Sequence, residues 1–200
     1  MGWCFILFDF NPNIFLQMKN IIIIFLFLLN FQSLTKADDI KDFEIEGISI
    51  GSSLLSYMEK SYIEENKYYP SKKFKKFASI SYFKNLKNYQ ELMINFNKNY
   101  EIASFSAFVQ INNIEECKST KKNIVGSISV LFLNTDYFED ERPYFLDKET
   151  YVYATTWEMD KGFLRVACYD WSEKSQITDE LRVDVSNEEY KLYLDTVTSD

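Results

Sequence analysis

Histidine is absent from this chain of 200 residues. Its absence removes the commonest general base and the commonest transition-metal ligand of proteins. The run Gly47-Ile48-Ser49-Ile50-Gly51 matches the G-x-S-x-G pattern of a serine nucleophile. Because no histidine can accept the serine proton, the match does not predict a serine–histidine hydrolase. Dinucleotide-binding, Walker and paired-cysteine zinc motifs are also missing from the sequence, so we expect neither a cofactor nor a metal ion.

Apolar runs long enough to cross a bilayer, about 20 residues, are missing too. The longest run, Ile21–Leu29, follows Lys19 and precedes Leu34-Thr35-Lys36-Ala37. A basic start, a short apolar segment and a small-residue cleavage site are typical of a secretory signal peptide. The pattern therefore predicts export, to the periplasm or the outside of the cell.

We expect translation to start at Met18, with residues 1–17 as an upstream extension, and cleavage after Ala37. The alternative is a membrane anchor from Phe5 to Leu29, although charged and polar residues interrupt that stretch. Cleavage leaves residues 38–200, which we expect to fold as a single α+β domain.

Positive charge is in the minority, because 22 lysines and arginines face 30 aspartates and glutamates, for a net charge of −8. Residues 1–37 carry two lysines and one aspartate, so residues 38–200 have a net charge of −9. Phosphate backbones are bound by basic surfaces. The balance therefore argues against nucleic acid as a partner.

Cysteine is scarce, with three residues in the chain. Cys4 lies in the predicted upstream extension, which leaves Cys117 and Cys168 in the exported chain. An even pair in an oxidising compartment predicts a disulfide between Cys117 and Cys168. Two buried free thiols are the alternative.

Strands and helices are indicated by the spacing of apolar residues. The predicted strands are Phe74–Phe83, Tyr89–Phe96, Tyr100–Ile111, a hairpin within Tyr151–Trp171, and Leu181–Val185. Asn113 to Phe132 has helical spacing, and a capping pattern at Ser186 predicts a terminal helix. The expected fold is α+β, an antiparallel sheet of about six strands with helices packed on it.

The hairpin contains the densest aromatic cluster. With Asp160-Lys161-Gly162 as a three-residue loop, alternation predicts one small apolar face that includes Cys168. The other predicted face is aromatic, with one guanidinium, and it forms the candidate binding site: Tyr153, Trp157, Arg165, Tyr169 and Trp171. This face either stacks on a ligand or is covered by a helix and serves as core.

Two charged segments allow more than one interpretation. Lys72, Lys73, Lys75 and Lys76 stand beside two phenylalanines, as a contact for anionic lipid or an acidic partner, or as a charged edge strand that prevents aggregation. We predict an acidic loop over Asn134–Thr150. Its carboxylates are solvated or bind Ca²⁺, although no EF-hand spacing is present.

Three blocks of the sequence resemble short exported proteins without an assigned function from AT-rich marine bacteria. They are DFEIEGISIGSSLLSYM at Asp42–Met58, NNIEECK at Asn112–Lys118 and CYDWSE at Cys168–Glu173. The resemblance implies export and a start at Met18. It carries no information about an activity or about site residues.

The composition and motifs favour a small exported binding or interaction protein without catalytic activity. Its expected partner is a protein or small ligand of the cell envelope, with membrane contact through the leader or the four lysines of residues 72–76. One alternative is a histidine-free hydrolase or lyase that uses carboxylates such as Glu46, Glu158 and Asp170. A structural component of the envelope is the other.

Overall fold

The computed structural model describes residues 39–133, 135–159 and 161–198. These residues belong to one compact unit, Thr35–Asp200. The predicted start, leader and cleavage site lie outside the described residues. In the part of the chain that the structure describes, no helix is both long and apolar enough to span a membrane.

A seven-stranded antiparallel sheet forms the centre of the fold, with the strand order β3-β4-β5-β9-β8-β7-β6. Its strands are β3 (Ala78–Tyr82), β4 (Glu91–Phe96), β5 (Ile102–Gln110), β6 (Tyr137–Pro143), β7 (Tyr151–Met159), β8 (Gly162–Asp170) and β9 (Glu180–Asn187). A separate hairpin pairs β1 (Glu44–Ile45) with β2 (Ile48–Ser49). The predicted α+β class is confirmed.

Strand β6, which we did not predict, lies where we expected an acidic loop. The prediction of a loop there is wrong. β6 is an edge strand that pairs only with β7 among the described strands. Six of its seven residues are exposed, so its sequence lacks the apolar alternation by which strands are recognised. Pro143 stands at its end, which an edge position allows because no ladder donor is needed there.

The described residues form α1 (Lys60–Asn66), α2 (Ile114–Leu131) and α3 (Glu188–Thr198). Of these helices, α2 and α3 pack on the sheet. The side chain of Asn113 accepts a hydrogen bond from the Glu116 amide at 2.9 Å, which caps α2 where the sequence predicted its start. The side chain of Asn187 does the same for α3, accepting from the Tyr190 amide at 2.8 Å.

The main core lies between α2 and the sheet. The helix buries Cys117, Ile124, Val125 and Ile128 against strand residues that include Val166 and Val183. α3 packs on the opposite face, where Tyr190 and Tyr193 join Phe77 and Ala103 in a second cluster. The two clusters are separate because neighbouring residues of a strand point to opposite faces.

Gly162 fixes the connection between β7 and β8. It pairs with Met159, and its φ of 154° lies in a region that residues with a Cβ rarely adopt. A Cβ at this position would collide with the backbone carbonyl oxygen of Ser186 and lie 3.0 Å from the Cα of Asn187. Both obstacles are backbone atoms of the central strand, so neither can move aside cheaply.

We predict that Gly162→Ala lowers the free energy of unfolding by at least about 2 kcal/mol, because strain and a backbone clash add together. Gly126→Ala is the matched control, since its Cβ would meet nothing within 4 Å on α2. The control should raise the free energy of unfolding by roughly 0.5–1 kcal/mol through helix propensity. Urea denaturation measures both; a neutral Gly162→Ala would contradict the register described for β8 and β9.

Candidate functional site

The hairpin of β7 and β8 differs by one residue from its predicted register. Trp157 lies opposite Leu164 and Tyr153 opposite Cys168, whereas Arg165 lies opposite Thr156. Only two residues separate Met159 from Gly162, and the prediction assumed a loop of three. A shift of one residue moves side chains to the other face. The prediction that the five hairpin residues share one face is therefore wrong.

Tyr153 and Trp157 lie on the face that packs against α2. Trp157 is fully buried, with its ring 5.4 Å from that of Tyr137. The ammonium group of Lys118 on α2 lies 3.9 Å from the centroid of the Tyr153 ring, in a cation–π contact. These two residues of the predicted site therefore stabilise the helix–sheet core and its border.

Arg165 lies on the opposite face and pairs with Asp184 of β9. Its Nε and Nη2 atoms both donate to one oxygen of Asp184, at 2.9 and 2.7 Å, and Ser106 donates to the other at 2.6 Å. Burial opposes ionisation of Asp184, but Arg165 and Arg182 together hold its pKa below the ordinary value. The Arg165–Asp184 ion pair therefore links β8 to β9 within the sheet.

Tyr169 and Trp171, the remaining two residues of the predicted site, lie on the same face as Arg165. Their rings stack at 5.7 Å, and both contact Tyr144 edge-on, at 5.9 and 5.4 Å. The guanidinium of Arg182 lies 4.1 Å from the Tyr169 ring centroid and 4.6 Å from that of Phe108. Tyr169 is buried, so its faces are occupied by the protein itself.

Cys117 of α2 and Cys168 of β8 lie at disulfide distance, with 2.02 Å between the sulfur atoms and 5.9 Å between the Cα atoms. The predicted pair is thus brought together by the fold. Both residues are fully buried, and the link would tie the first turn of α2 to the centre of the sheet.

The carboxylates that we considered for catalysis do not gather at one place. Glu46 accepts from the amide of Asn88 beside the small hairpin. Glu158 and Asp170 belong to opposite ends of the β7–β8 hairpin. The carboxylates of β6 point to both faces of that strand. Within the described ranges, no group of three or more histidine, cysteine, aspartate or glutamate residues could hold a metal ion.

The segment Lys72–Phe77, which we call the basic segment, precedes the edge strand β3 and has no regular secondary structure. The prediction that it forms an edge strand is wrong. Phe77 is buried between Tyr190 and Tyr193, with ring centroids 5.1 and 5.2 Å away. The hydroxyl of Tyr193 also donates to the carbonyl oxygen of Phe74 at 2.9 Å. These contacts fasten the basic segment to α3.

The four lysines of the basic segment remain exposed, and Lys73, Lys75 and Lys76 line two clefts. The larger cleft, of about 390 Å³, separates the segment from α3 and is lined by Lys73, Phe74, Lys75, Lys76, Leu192, Tyr193 and Thr196. The smaller cleft, of about 120 Å³, is lined by Lys67, Tyr69, Lys75, Lys76, Ala78, Phe96, Asn97, Lys98 and Tyr100. Lys75 and Lys76 belong to both clefts, which therefore adjoin.

Part of this positive charge is neutralised locally. Lys67 contacts Glu64 at 2.7 Å, and the hydrogen bond from Lys67 to Glu64 raises the pKa of the lysine. Lys76 contacts Glu189 at 3.0 Å, but both side chains are more than half exposed, so water screens the pair. The ammonium of Lys75 lies 5.9 Å from the Tyr69 ring centroid. The clefts thus keep a net positive lining.

The lysine clefts were only half visible in the sequence. Lys72–Lys76 form a run, whereas Lys67 follows α1 and Lys98 lies in the turn between β4 and β5. Their approach results from the tertiary fold.

No protein-family model, curated protein or solved structure matches this chain.

We predict that reduction of the Cys117–Cys168 link lowers the free energy of unfolding by up to about 4 kcal/mol, because a loop spanning 51 residues is released in the unfolded chain. Urea denaturation with and without dithiothreitol measures the loss. A variant with both cysteines changed to alanine is the control and should not respond to the reductant. In a Cys4→Ala background, two free thiols in the unreduced, denatured chain would contradict the link.

We predict that Asp184→Asn lowers the free energy of unfolding at pH 7 by about 3 kcal/mol, because it leaves Arg165 largely buried without its counter-charge. The loss should shrink on acidification below the ordinary aspartate pKa of about 4. There the unfolded chain takes up a proton that the folded carboxylate still excludes.

Glu115→Gln is the matched control for the loss at Asp184, since Glu115 forms an exposed pair with Lys118 on the surface of α2. It should cost no more than about 0.5 kcal/mol. Denaturation curves recorded from pH 7 to pH 3 test both variants. Equal losses for the two would contradict a special role of the Arg165–Asp184 pair.

Proposed function

We propose that this chain is an exported binding protein without catalytic activity, and that the basic segment contacts an anionic partner in the cell envelope. One observation carries the proposal. The four lysines of the basic segment are exposed, and three of them, Lys73, Lys75 and Lys76, line two adjoining clefts in a chain whose net charge is −8. Such a local reversal of charge favours an oppositely charged partner.

The basic segment is held in place before any partner arrives. Phe74 and Phe77 alternate with the lysines and pack towards α3, which turns the ammonium groups to the solvent. Contacts built on a fixed backbone cost less conformational entropy on binding than contacts on a loose loop. The anchoring therefore supports a role in binding.

The charge of the whole chain limits the kind of partner. An extended polyanion such as a nucleic acid would meet the acidic remainder of the surface as well as the basic segment. A compact anionic group meets only the lysines. The partner that we propose is therefore a compact anionic group, carried by a small ligand, a lipid headgroup or an acidic patch on a protein.

Export is supported by two separate features. The sequence of residues 18–37 has the pattern of a cleaved leader. Cys117 and Cys168 lie at disulfide distance, and disulfides persist in oxidising compartments. Together they favour the periplasm or the outside of the cell as the place of binding.

We predict that the protein, expressed with its own leader, is retained at pH 7 and low salt on a sulfonate cation exchanger despite its net negative charge. Retention should be lost when Lys72, Lys73 and Lys75 are all changed to glutamine. Retention should also fall with rising salt, because at an ionic strength of 0.1 M interactions between exposed charges more than about 10 Å apart are largely screened.

The matched control changes Lys87, Lys122 and Lys148 to glutamine. All three are exposed, and the control has the same net charge as the test variant. It should be retained as the unmodified protein is. Equal loss of retention in both variants would mean that total charge, and not the basic segment, decides binding.

A further inference from the structure

We infer that the smaller cleft is a binding site for a compact oxyanion of the phosphate type. The inference rests on the proposed function and narrows its ligand class. The cleft's volume of about 120 Å³ exceeds the roughly 10–15 Å³ that one water molecule needs on the same measure, and it is smaller than the about 300–1,000 Å³ of pockets for drug-sized ligands. An anion of a few heavy atoms fits this space.

The smaller cleft has a positively charged lining. Four lysines line the cleft, and the pKa of Lys67 is raised, so this lysine keeps its proton at neutral pH. Among the residues that the structure describes, Lys75 and Lys98 have no carboxylate partner. An ammonium group is a compact point charge with three donors, and lysine is a common phosphate ligand for that reason.

Acidic side chains contact residues that line the smaller cleft. Glu101 accepts a hydrogen bond from the side-chain amide of Asn97 at 3.2 Å, and Glu64 is engaged by two other residues. Glu64 accepts from Lys67 at 2.7 and 2.8 Å and from the hydroxyl of Tyr100 at 2.8 Å. It therefore holds Lys67 and Tyr100 in the wall of the cleft, and its own charge is compensated. The uncompensated charge comes from Lys75 on one side and Lys98 on the other.

The turn that presents Lys98 is built by hydrogen bonds. Asn97 accepts from the amides of Asn99 and Glu101, at 2.9 and 3.2 Å, and its backbone amide donates to the Glu101 carbonyl at 3.0 Å. Tyr100 has a positive φ of 62°, which closes the turn tightly. Lys98 thus projects from a fixed backbone opposite the basic segment.

The adjoining larger cleft indicates what the oxyanion is attached to. It shares Lys75 and Lys76 with the smaller cleft, and its lining includes the apolar side chains of Phe74 on the basic segment and Leu192 on α3, of which Leu192 is 59% exposed. An apolar substituent on the phosphate can pack against these side chains. The same chemistry is present in a free phosphate ion and in the headgroup of a phospholipid, and the experiment separates these two sources.

The test titrates the full chain with inorganic phosphate while amide chemical shifts are recorded, at an ionic strength held constant with chloride. We expect saturable shifts of the amides from Asn97 to Glu101. Lys98→Gln and Lys75→Gln should each weaken binding about tenfold, because each removes one charged donor. Lys87→Gln, the control, should leave binding unchanged.

A second arm sediments the same proteins with phosphatidylcholine vesicles that contain phosphatidic acid. Binding to these vesicles without binding of inorganic phosphate, and its loss in Lys98→Gln, supports the site with a lipid headgroup as the source. The absence of both overturns the inference, as does equal weakening by Lys87→Gln. Because Lys98 lies outside the basic segment, retention on the sulfonate exchanger can persist when this inference fails, so the two failures are distinguishable.

Discussion

The pairing register of β7, β8 and β9 determines which side chains of this protein can meet. Cys168 reaches α2 because it shares a face with Leu164 and Val166, and Arg165 reaches Asp184 because the two lie directly opposite each other. A slip of one residue would exchange these faces and separate both pairs. Gly162 holds the register, since its backbone approaches β9 too closely for a side chain.

The dependence on register explains what could be predicted and what could not. The helix from Asn113 was recognisable because its cap and its apolar spacing are local signals. The strands with one buried face were recognisable for the same reason. The hairpin register depends on whether its loop has two residues or three, and the residues before Gly162 suit both. One wrong count was enough to assign Trp157 and Arg165 to a common surface.

The candidate site shows the same division between local and distant signals. The lysines of the basic segment are adjacent in the sequence, so their charge could be noticed at once. Nothing in the sequence brings Lys67 and Lys98 beside them, because α1 and the β4–β5 turn approach only when β3 and β4 pair. A cleft formed by three distant segments has no local sequence pattern, and structure is needed to find it.

One interpretation of the basic segment was protection of a sheet edge, and the structure gives this task to another residue. Tyr68 forms a bridge with Ser79 of β3, in which each amide donates to the other's carbonyl, at 2.9 and 2.8 Å. The bridge occupies backbone groups that would otherwise be open to another chain. The lysines lie before β3 and are directed to solvent around the clefts, so edge protection does not account for their number or position. The anionic partner that we propose would account for both.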